Sequence, residues 1–184
     1  MTERKATYYR TLPDGKVLCT LCPQACRLEE GESGRCRGRV ARGQKLYTVT
    51  YGRVSALAFD PMEKKPLYHF FPGSLVLSVG TVGCNLHCQF CQNWRIAQGE
   101  AATEQISPEQ LVKLAVEAKG KGNIGLAYTY SEPLVWFEYI FDTARLARKR
   151  GLKNVLVTHG YLKPEPLKEL LPYLNQASKT GREI

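Results

Sequence analysis

Both the fold class and the chemistry of this chain are decided by one stretch, Leu75-Val76-Leu77-Ser78-Val79-Gly80-Thr81-Val82-Gly83-Cys84-Asn85-Leu86-His87-Cys88-Gln89-Phe90-Cys91. Its first six residues are mostly apolar and predict a short buried β-strand. A loop with three cysteines, spaced C-x3-C-x2-C, follows directly. Because ligands of α/β folds gather at the carboxyl ends of strands, this loop is a predicted cofactor site.

Cys84, Cys88 and Cys91 predict a 4Fe–4S cluster held by three protein ligands instead of the usual four. The iron that lacks a cysteine can bind the amino and carboxylate groups of S-adenosylmethionine (SAM). An electron from the cluster then breaks the bond between the SAM sulfur and the 5′ carbon of ribose, which yields a carbon radical. The cofactor carries this chemistry, while the protein supplies binding, orientation and shielding.

Two other uses of these cysteines fit the pattern less well. Zinc sites usually show paired C-x2-C halves or a mixture of cysteine and histidine, and His87 lies inside the loop, where it is poorly placed as a fourth ligand. Disulfide frameworks are typical of secreted chains, and residues 1–7 lack the apolar core of a signal peptide. We therefore expect a cytoplasmic protein whose seven cysteines serve metal binding.

Length and charge limit the remaining classes. A chain of 184 residues with 43% hydrophobic residues suits one domain, and no apolar stretch is long enough for a membrane span. The net charge of +9 is concentrated in residues 1–53, which hold 11 Lys and Arg against 5 Asp and Glu. Such a surplus suits nucleic acid or an acidic partner, but aromatic residues are not interleaved with it. A solvated face is therefore the favoured interpretation.

A second group of cysteines lies in an N-terminal region predicted to span residues 1–72. Cys19, Cys22 and Cys26 are followed by Cys36 after nine residues, in a segment with few large apolar residues. Four thiols would stabilise such a loop-rich module through a second metal site. The metal stays open between zinc and a second iron–sulfur cluster, because the spacing matches neither standard pattern well.

Residues 73–184 are predicted to form an α/β domain. The predicted elements are strands 75–79, 124–128 and 155–158 and helices 107–121, 134–150 and 165–174. Ser107, Pro108 and Gln110 supply an N-cap, a first-turn proline and a capping box for the first helix. This alternation implies a parallel sheet of about three βα units. In the N-terminal region, residues 46–51 and 53–59 alternate on both sides of a glycine and predict a β-hairpin.

The motifs resemble a known family. Cys84 to Cys91, followed by Gln92-Asn93-Trp94, resembles radical SAM enzymes of the pyruvate formate-lyase activating type. The run Asp60-Pro61-Met62-Glu63-Lys64-Lys65-Pro66-Leu67-Tyr68-His69-Phe70-Phe71-Pro72-Gly73-Ser74, with the N-terminal cysteines and Tyr130-Ser131-Glu132-Pro133, is similar to the radical SAM enzyme of the AmmeMemoRadiSam system. The resemblance covers roughly residues 19–174. It implies the N-terminal part of a partial (βα)6 TIM-like barrel, preceded by a small cysteine-containing irregular or β region.

The resemblance also assigns roles to residues near the cysteine loop. Phe90 stands where the family has an aromatic side chain that shields the cluster, although a loop residue packing into the core is also consistent. Glu132 stands where such enzymes bind the SAM amino group, and the alternative is a first-turn glutamate favoured by the helix dipole. Thr158-His159-Gly160 resembles a Thr-Asn-Gly turn of the family. Because His159 lacks the side-chain amide, we expect an ordinary turn there.

The C-terminal segment departs from the family pattern. Family members continue after Leu174 with a fourth strand and further βα units, whereas residues 175–184 show no strand pattern. We therefore expect the N-terminal half of the enzyme, with a three-stranded sheet and an open edge. The SAM contacts of later strands would be missing, and the missing half is a candidate partner.

Three functions are consistent with these patterns. The first is a radical SAM enzyme that cleaves SAM to a 5′-deoxyadenosyl radical, with a flavodoxin or ferredoxin as electron donor and an unknown substrate that could be a protein. The second is an activating enzyme that places a glycyl radical on a partner enzyme. The third is a non-catalytic binding module stabilised by metal. The sequence predicts no catalytic residues beyond the cofactor-binding set.

Overall fold

The computed structural model describes residues 3–179, which form one five-stranded sheet, three small sheets and four α-helices. The strands are β1 (Arg4–Lys5), β2 (Tyr9–Thr11), β3 (Val17–Cys19), β4 (Arg27–Leu28), β5 (Arg39–Arg42), β6 (Lys45–Thr48), β7 (Arg53–Val54), β8 (Ala56–Pro61), β9 (Leu75–Gly80), β10 (Glu104–Gln105), β11 (Asn123–Tyr128), β12 (Lys153–Thr158) and β13 (Gln176–Lys179). The helices are α1 (Trp94–Ala97), α2 (Pro108–Glu117), α3 (Phe137–Lys149) and α4 (Pro164–Leu170). None of the helices in this described range is both long and apolar enough to cross a bilayer.

The five-stranded sheet has the order β13-β12-β11-β9-β8. Strands β9, β11, β12 and β13 run parallel, and β8 pairs antiparallel with β9. Helices α2, α3 and α4 lie in the three successive connections between the parallel strands. The predicted α/β class with a parallel sheet is therefore confirmed, while closure into a partial barrel stays a prediction.

The two faces of this sheet are covered by different parts of the chain. One face packs in the cluster that contains α2 and α3, through Leu77, Val79, Leu126, Tyr128 and Leu156. The other face packs against the segment after β8, in a separate cluster of Met62, Leu67, Val76, Ala127 and Val155. This alternation follows from the two-residue period of a strand, which sends neighbouring side chains to opposite faces.

Helix α2 begins where the sequence predicts it to begin. Ser107 Oγ accepts a hydrogen bond from the Gln110 N–H, and the Gln110 side chain accepts one from the Ser107 N–H. Pro108 occupies the first helical position, so the predicted capping box is confirmed. On this helix Leu111, Val112 and Ala115 are buried, and Leu114 is 41% exposed.

The other two predicted helices each contain a 3-10 segment. Residues Pro133–Trp136 form a 3-10 turn before α3, and residues Leu171–Tyr173 form another after α4. Gly151 follows α3 with a φ of 68°, the left-handed conformation that glycine adopts without steric cost. The predicted positions of these helices therefore agree with the structure, with shorter α-helical cores.

The prediction that residues 175–184 contain no strand is wrong. Residues 176–179 form β13, which pairs in parallel with β12 along its whole length. Strand β13 has three polar residues out of four, and its partner is more than twenty residues away, so no local apolar pattern marked it. The described sheet accordingly has five strands rather than three, and residues 180–184 lie outside the described part of the chain.

The β-hairpin predicted around Gly52 is also wrong. Strand β6 pairs with β1 and β5, and β7 pairs with β10. Strand β8 instead pairs with β9 over six residue pairs, from Ala56 opposite Gly80 to Pro61 opposite Leu75. The alternating pattern does mark strands, but β8 lies in the five-stranded sheet, where it has a longer partner strand.

The N-terminal region is joined to the α/β part by buried contacts. The Arg39 side chain on β5 donates through Nη2 to both carboxylate oxygens of Glu138 in α3, at 2.9 and 2.6 Å. Trp136 Nε1 donates to the Thr50 carbonyl oxygen at 2.7 Å. Strand β8, although it precedes residue 72, belongs to the five-stranded sheet. The predicted domain boundary near residue 72 stays a prediction.

Candidate functional site

The cysteine loop, residues 81–93, begins directly after β9 at the carboxyl end of that strand. Thr81 Oγ1 donates to the Arg53 carbonyl oxygen at 2.7 Å, and the Gly83 N–H donates to the Ile96 carbonyl oxygen at 2.9 Å. Gly83 has a φ of 92°, and a Cβ at this position would overlap the Cys36 carbonyl oxygen. Because only glycine fits this approach, the start of the loop is fixed against the N-terminal region.

The three cysteines of the loop differ in burial. Cys84 is 7% exposed, whereas Cys88 and Cys91 are partly exposed, and all three thiols are free. The Cys91 N–H donates to the Cys88 carbonyl oxygen at 3.2 Å, which forms a tight turn between these two residues. Burial raises the pKa of the Cys84 thiol. Metal binding would oppose this effect, because a metal stabilises the thiolate form.

The residues of this loop fit an iron–sulfur cluster by their chemistry. Within residues 3–179, no three His, Cys, Asp or Glu side chains are gathered closely enough to hold one metal ion. The donor set of the loop nevertheless consists of three thiols, which suit iron–sulfur clusters, and the remaining candidate, His87, is exposed. Cluster binding therefore requires the three thiols to converge, which the partly exposed positions of Cys88 and Cys91 permit.

Glu132 lies in the loop that follows β11, and its side chain is buried. Its Oε1 accepts hydrogen bonds from the Thr158 hydroxyl and from the Leu134 N–H, and its Oε2 accepts one from the His159 N–H at 2.9 Å. Burial raises the pKa of this carboxyl, although the bonds from Thr158 and His159 act in the opposite direction. The bond to Leu134 caps the 3-10 turn, so a structural role of Glu132 is present in the fold.

Further hydrogen bonds connect the loops that follow β9, β11 and β12. Ser131 Oγ donates to the Thr81 carbonyl oxygen at 3.1 Å, which joins the loop after β11 to the cysteine loop. Asn85 Nδ2 donates to the Tyr161 carbonyl oxygen at 3.2 Å, which joins the cysteine loop to the loop after β12. The carboxyl ends of three parallel strands therefore meet at one edge, with Cys84, Glu132 and the turn after β12 all placed there.

This arrangement agrees with a family match. The sequence pattern of the Radical SAM superfamily matches residues 78–177, from within β9 into β13. The chain belongs to the radical SAM superfamily. Members of this superfamily are enzymes, and the family implies a 4Fe–4S cluster and SAM. The matched residues include the cysteine loop, Glu132 and the turn after β12.

Two curated relatives align with parts of this chain. The chain is 44% identical over 170 residues to "Uncharacterized protein MJ0808" of Methanocaldococcus jannaschii, in an alignment that covers 91% of this chain and 50% of that protein. It is 27% identical over 85 residues to the pyruvate formate-lyase-activating enzyme of Clostridium pasteurianum, which covers 43% of this chain and 34% of that enzyme. The radical SAM chain thus spans about half the length of the first relative and about a third of the second.

Two other residues singled out from the sequence lie near the radical SAM loop. Phe90 is 61% exposed, so the interpretation of Phe90 as a core-packing residue is wrong, while its role beside a cofactor stays a prediction. His159 is exposed and places its Nδ1 3.8 Å from Glu132 Oε2. Its backbone N–H makes the bond to Glu132, which any residue except proline could supply, in agreement with an ordinary turn.

A buried polar cluster of the radical SAM chain was missed as a site. Asp60 accepts hydrogen bonds from Lys64 and Lys65, both at 2.7 Å, and from the Tyr130 hydroxyl at 3.2 Å. Burial opposes ionisation of Asp60, but the two lysines outweigh it and hold the pKa of Asp60 well below its ordinary value. Tyr130 has a φ of 74°, which is strained for a residue with a side chain. Asp60 belongs to a run that the sequence marks as a family motif, but its pairing with Tyr130, seventy residues away, carries no sequence signal.

The N-terminal cysteines lie on and between β3 and β5. The Cys19 N–H donates to the Cys26 carbonyl oxygen at 2.9 Å, and Cys26 Sγ accepts from the Arg35 N–H at 3.5 Å. Cys19, Cys22 and Cys36 are buried, and all four thiols are free. The radical SAM chain therefore holds two cysteine groups that are close in space, since Cys36 contacts the glycine that precedes Cys84.

Proposed function

We propose that this chain binds a 4Fe–4S cluster through Cys84, Cys88 and Cys91 and cleaves SAM reductively to a 5′-deoxyadenosyl radical. The observation that carries the proposal is the meeting of three strand ends, where the cysteine loop lies beside Glu132 and the turn after β12. The superfamily match supports the cofactor pair. When bound, the cluster supplies the electron that breaks the bond between sulfur and the 5′ carbon of SAM.

Glu132 is the proposed acceptor for the SAM ammonium group. Its Oε2 accepts one hydrogen bond, from His159, and a carboxylate oxygen has room for a second donor. Because burial raises the pKa of Glu132, an approaching cation would favour the ionised carboxylate and gain a charge-assisted bond. The bond from Thr158 orients the carboxylate and so reduces the entropy lost on binding. The exposed ring of Phe90 is proposed to cover the cluster on the solvent side.

The test is anaerobic reconstitution of the full chain with iron and sulfide, followed by addition of SAM and dithionite. We expect 5′-deoxyadenosine to form, as measured by chromatography, and we expect none from the Cys84→Ala/Cys88→Ala/Cys91→Ala variant. A chain that binds a cluster but yields 5′-deoxyadenosine equally well without these cysteines would contradict the proposal.

The unmatched half of MJ0808 provides a second arm of this experiment. Cleavage requires the ribose and adenine to be held precisely, and a misplacement of about 1 Å costs on the order of a hundredfold in rate. Because MJ0808 is twice as long as the aligned stretch, its remaining half is the proposed source of further SAM contacts. We expect a fusion of the chain to that half to form 5′-deoxyadenosine faster than the chain alone, by up to about a hundredfold.

Similarity to the pyruvate formate-lyase-activating enzyme favours a second candidate function. In this candidate, the radical would remove a hydrogen atom from a backbone glycine of a partner enzyme. The AmmeMemoRadiSam resemblance instead leaves the substrate open, with a flavodoxin or ferredoxin as the proposed electron donor. Electron paramagnetic resonance of a mixture with a glycyl radical enzyme from the same organism distinguishes these two candidates, because only an activating enzyme would generate the glycyl radical doublet. A third candidate, a non-catalytic module, predicts tightly bound zinc and no redox-active iron.

A further inference from the structure

The Arg39 guanidinium is buried with two of its three nitrogen atoms unpaired. Arg39 is 1% exposed, and its Nη2 makes the ion pair with Glu138. Its Nε and Nη1 are buried and have no hydrogen-bond partner. Unsatisfied buried donors are destabilising and rare, so such groups usually indicate an interaction that the protein atoms alone do not supply.

The N-terminal cysteines lie close to the backbone of Arg39. The Gly34 N–H donates to the Arg39 carbonyl oxygen at 2.8 Å, and the neighbouring Arg35 N–H donates to Cys26 Sγ at 3.5 Å. A Cβ on Gly38, the residue before Arg39, would lie 3.9 Å from Cys36 Sγ, so a second sulfur atom lies beside this stretch of backbone. A buried neutral thiol gains little from a neighbouring guanidinium, because a thiol is a weak acceptor. A thiolate, in contrast, accepts charge-assisted hydrogen bonds and balances the cation. The guanidinium is therefore better matched to ionised sulfur than to the thiols alone.

We propose that Cys19, Cys22, Cys26 and Cys36 bind a metal centre as four thiolates, and that Arg39 donates its unpaired N–H groups to the sulfur atoms of that centre. Zinc with four thiolates and an oxidised 4Fe–4S cluster with four thiolates are both dianions, so the same cation balances either. The four thiols do not surround one point in the described residues, so metal binding would draw them together.

The proposed N-terminal centre lies next to both ends of the cysteine loop. Gly83 packs so closely against the Cys36 carbonyl oxygen that a Cβ would overlap it. Gln24 Nε2 donates to the Asn85 carbonyl oxygen at 3.0 Å. Arg37 Nη2 donates to the Ala97 and Gly99 carbonyl oxygens at 3.1 and 3.0 Å, just beyond the other end of the loop. Residues between and beside the N-terminal cysteines therefore hold both ends of the cysteine loop. The N-terminal centre is accordingly a positioning element for the loop, independent of whether the loop cleaves SAM.

The experiment isolates this centre in the Cys84→Ala/Cys88→Ala/Cys91→Ala full chain, purified without oxygen. Zinc, iron and acid-labile sulfide are measured per chain. We expect about one zinc ion or one 4Fe–4S cluster, removed by adding Cys19→Ala and Cys36→Ala. Iron with sulfide identifies the cluster, and zinc without sulfide identifies the zinc site. Absence of bound metal, together with alkylation of all four thiols in the folded protein, overturns the proposal.

The role of Arg39 is tested by an Arg39→Met/Glu138→Met variant in the same background. Replacing both partners avoids leaving a buried charge unpaired, and apolar pairs often substitute for buried ion pairs without loss of stability. We expect metal affinity to fall about 10-fold to 100-fold in competition with a chelator. The matched control is Arg42→Met/Glu3→Met, which removes an exposed ion pair of the same strand and should leave the affinity unchanged.

A second variant covers the case in which the double substitution does not fold. Arg39→Lys keeps the charge opposite Glu138 but removes the fork of N–H donors, so we expect a folded protein with weakened metal binding. Cobalt substitution monitors the site directly, because its thiolate charge-transfer absorption should shift when the hydrogen bonds to sulfur are lost. Unchanged affinity and an unchanged cobalt spectrum in the folded Arg39 variants would show that Arg39 does not contact the centre.

Discussion

The two cysteine groups of this chain use the same ligand in opposite surroundings. Three of the four N-terminal cysteines are buried, between short strands and beside the buried Arg39–Glu138 ion pair. In the cysteine loop, only Cys84 is buried, while Cys88 and Cys91 are partly exposed and Phe90 between them is 61% exposed. A permanently closed site suits a structural metal, whereas an accessible site suits a cofactor that must receive an electron and bind a ligand.

Burial and nearby charged residues distinguish the two cysteine groups in the structure, in addition to their different spacing in the sequence. Arg39, three residues after Cys36, is a buried cation with unpaired donors, which would balance a metal bound by four thiolates. The cysteine loop has instead a buried carboxylate, Glu132, at the neighbouring strand end, which suits a cationic ligand. Arg39 and Glu132 carry opposite charges, in keeping with the different species that the two sites are proposed to bind.

Substituting each cysteine group in turn is expected to have the largest effect on this comparison. We expect Cys19→Ala/Cys36→Ala to lower the free energy of unfolding by on the order of 5 kcal/mol or to prevent folding, because the N-terminal region would lose its metal. Cys88→Ala/Cys91→Ala should change it by less than about 1 kcal/mol, because these side chains are partly exposed. Urea denaturation followed by circular dichroism measures both. A larger loss in the loop variant would reverse the assignment of structural and functional sites.

Lys64 and Lys65 are a matched pair of lysines in the segment after β8. Substituting each in turn tests how much burial strengthens the ion pairs of Asp60. Both lysines contact Asp60, but the Lys65 side chain is 4% exposed and that of Lys64 is 63% exposed. We expect Lys65→Met to cost on the order of 3 kcal/mol of unfolding free energy, because it leaves Asp60 buried with reduced compensation. Lys64→Met should cost less than about 1 kcal/mol. Equal losses in the two variants would indicate that burial does not decide the strength of this cluster.

Glu132→Gln tests whether the negative charge of Glu132 contributes to SAM binding beside the cysteine loop. The glutamine keeps the shape of the side chain and an acceptor oxygen, but it removes the negative charge proposed to bind the SAM ammonium. We expect SAM affinity of the reconstituted protein to fall about 10-fold to 100-fold, measured by isothermal titration calorimetry. The metal content of both cysteine groups should not change. If affinity is retained, Glu132 acts only as the cap of the 3-10 turn and the partner of Thr158.

Ser107→Ala is expected to have the smallest effect on the free energy of unfolding and serves as a reference for the other variants. The Ser107 hydroxyl accepts the Gln110 N–H at the start of α2, a helix outside both cysteine groups. Loss of this cap should lower the unfolding free energy by about 1 kcal/mol, and the bound metal should remain as in the parent protein. Thermal denaturation and metal analysis check both values. A loss of metal in this variant would mean that metal binding depends on the stability of the whole fold rather than on the cysteine ligands alone.

Local patterns predicted much of the fold and of the candidate site. Strands β9, β11 and β12 are short apolar runs, and the Ser107 capping box marks the start of α2, so each is recognisable within a few residues. The cysteine loop is recognisable for the same reason. Its position at a strand end followed from the order of elements, because parallel strands place their carboxyl ends together.

The elements that sequence reasoning missed depend on partners that are distant in the chain. Strand β13 is mostly polar and is stabilised by its pairing with β12. Strand β8 pairs with β9 instead of forming the predicted hairpin. The Arg39–Glu138 ion pair joins residues 99 positions apart, and the Asp60–Tyr130 bond joins residues 70 apart. A buried charged residue looks like a surface residue in a sequence, so the charge environment of both sites became visible only in the folded structure.

The central claim is that Cys84, Cys88 and Cys91 hold a cluster that meets SAM, while the N-terminal cysteines hold a separate centre. The most direct measurement is electron paramagnetic resonance of the reduced, reconstituted full chain with and without SAM. We expect a 4Fe–4S signal that SAM alters and that disappears in the Cys84→Ala/Cys88→Ala/Cys91→Ala variant, with any remaining signal insensitive to SAM. A SAM-sensitive signal that persists in that variant would contradict the account.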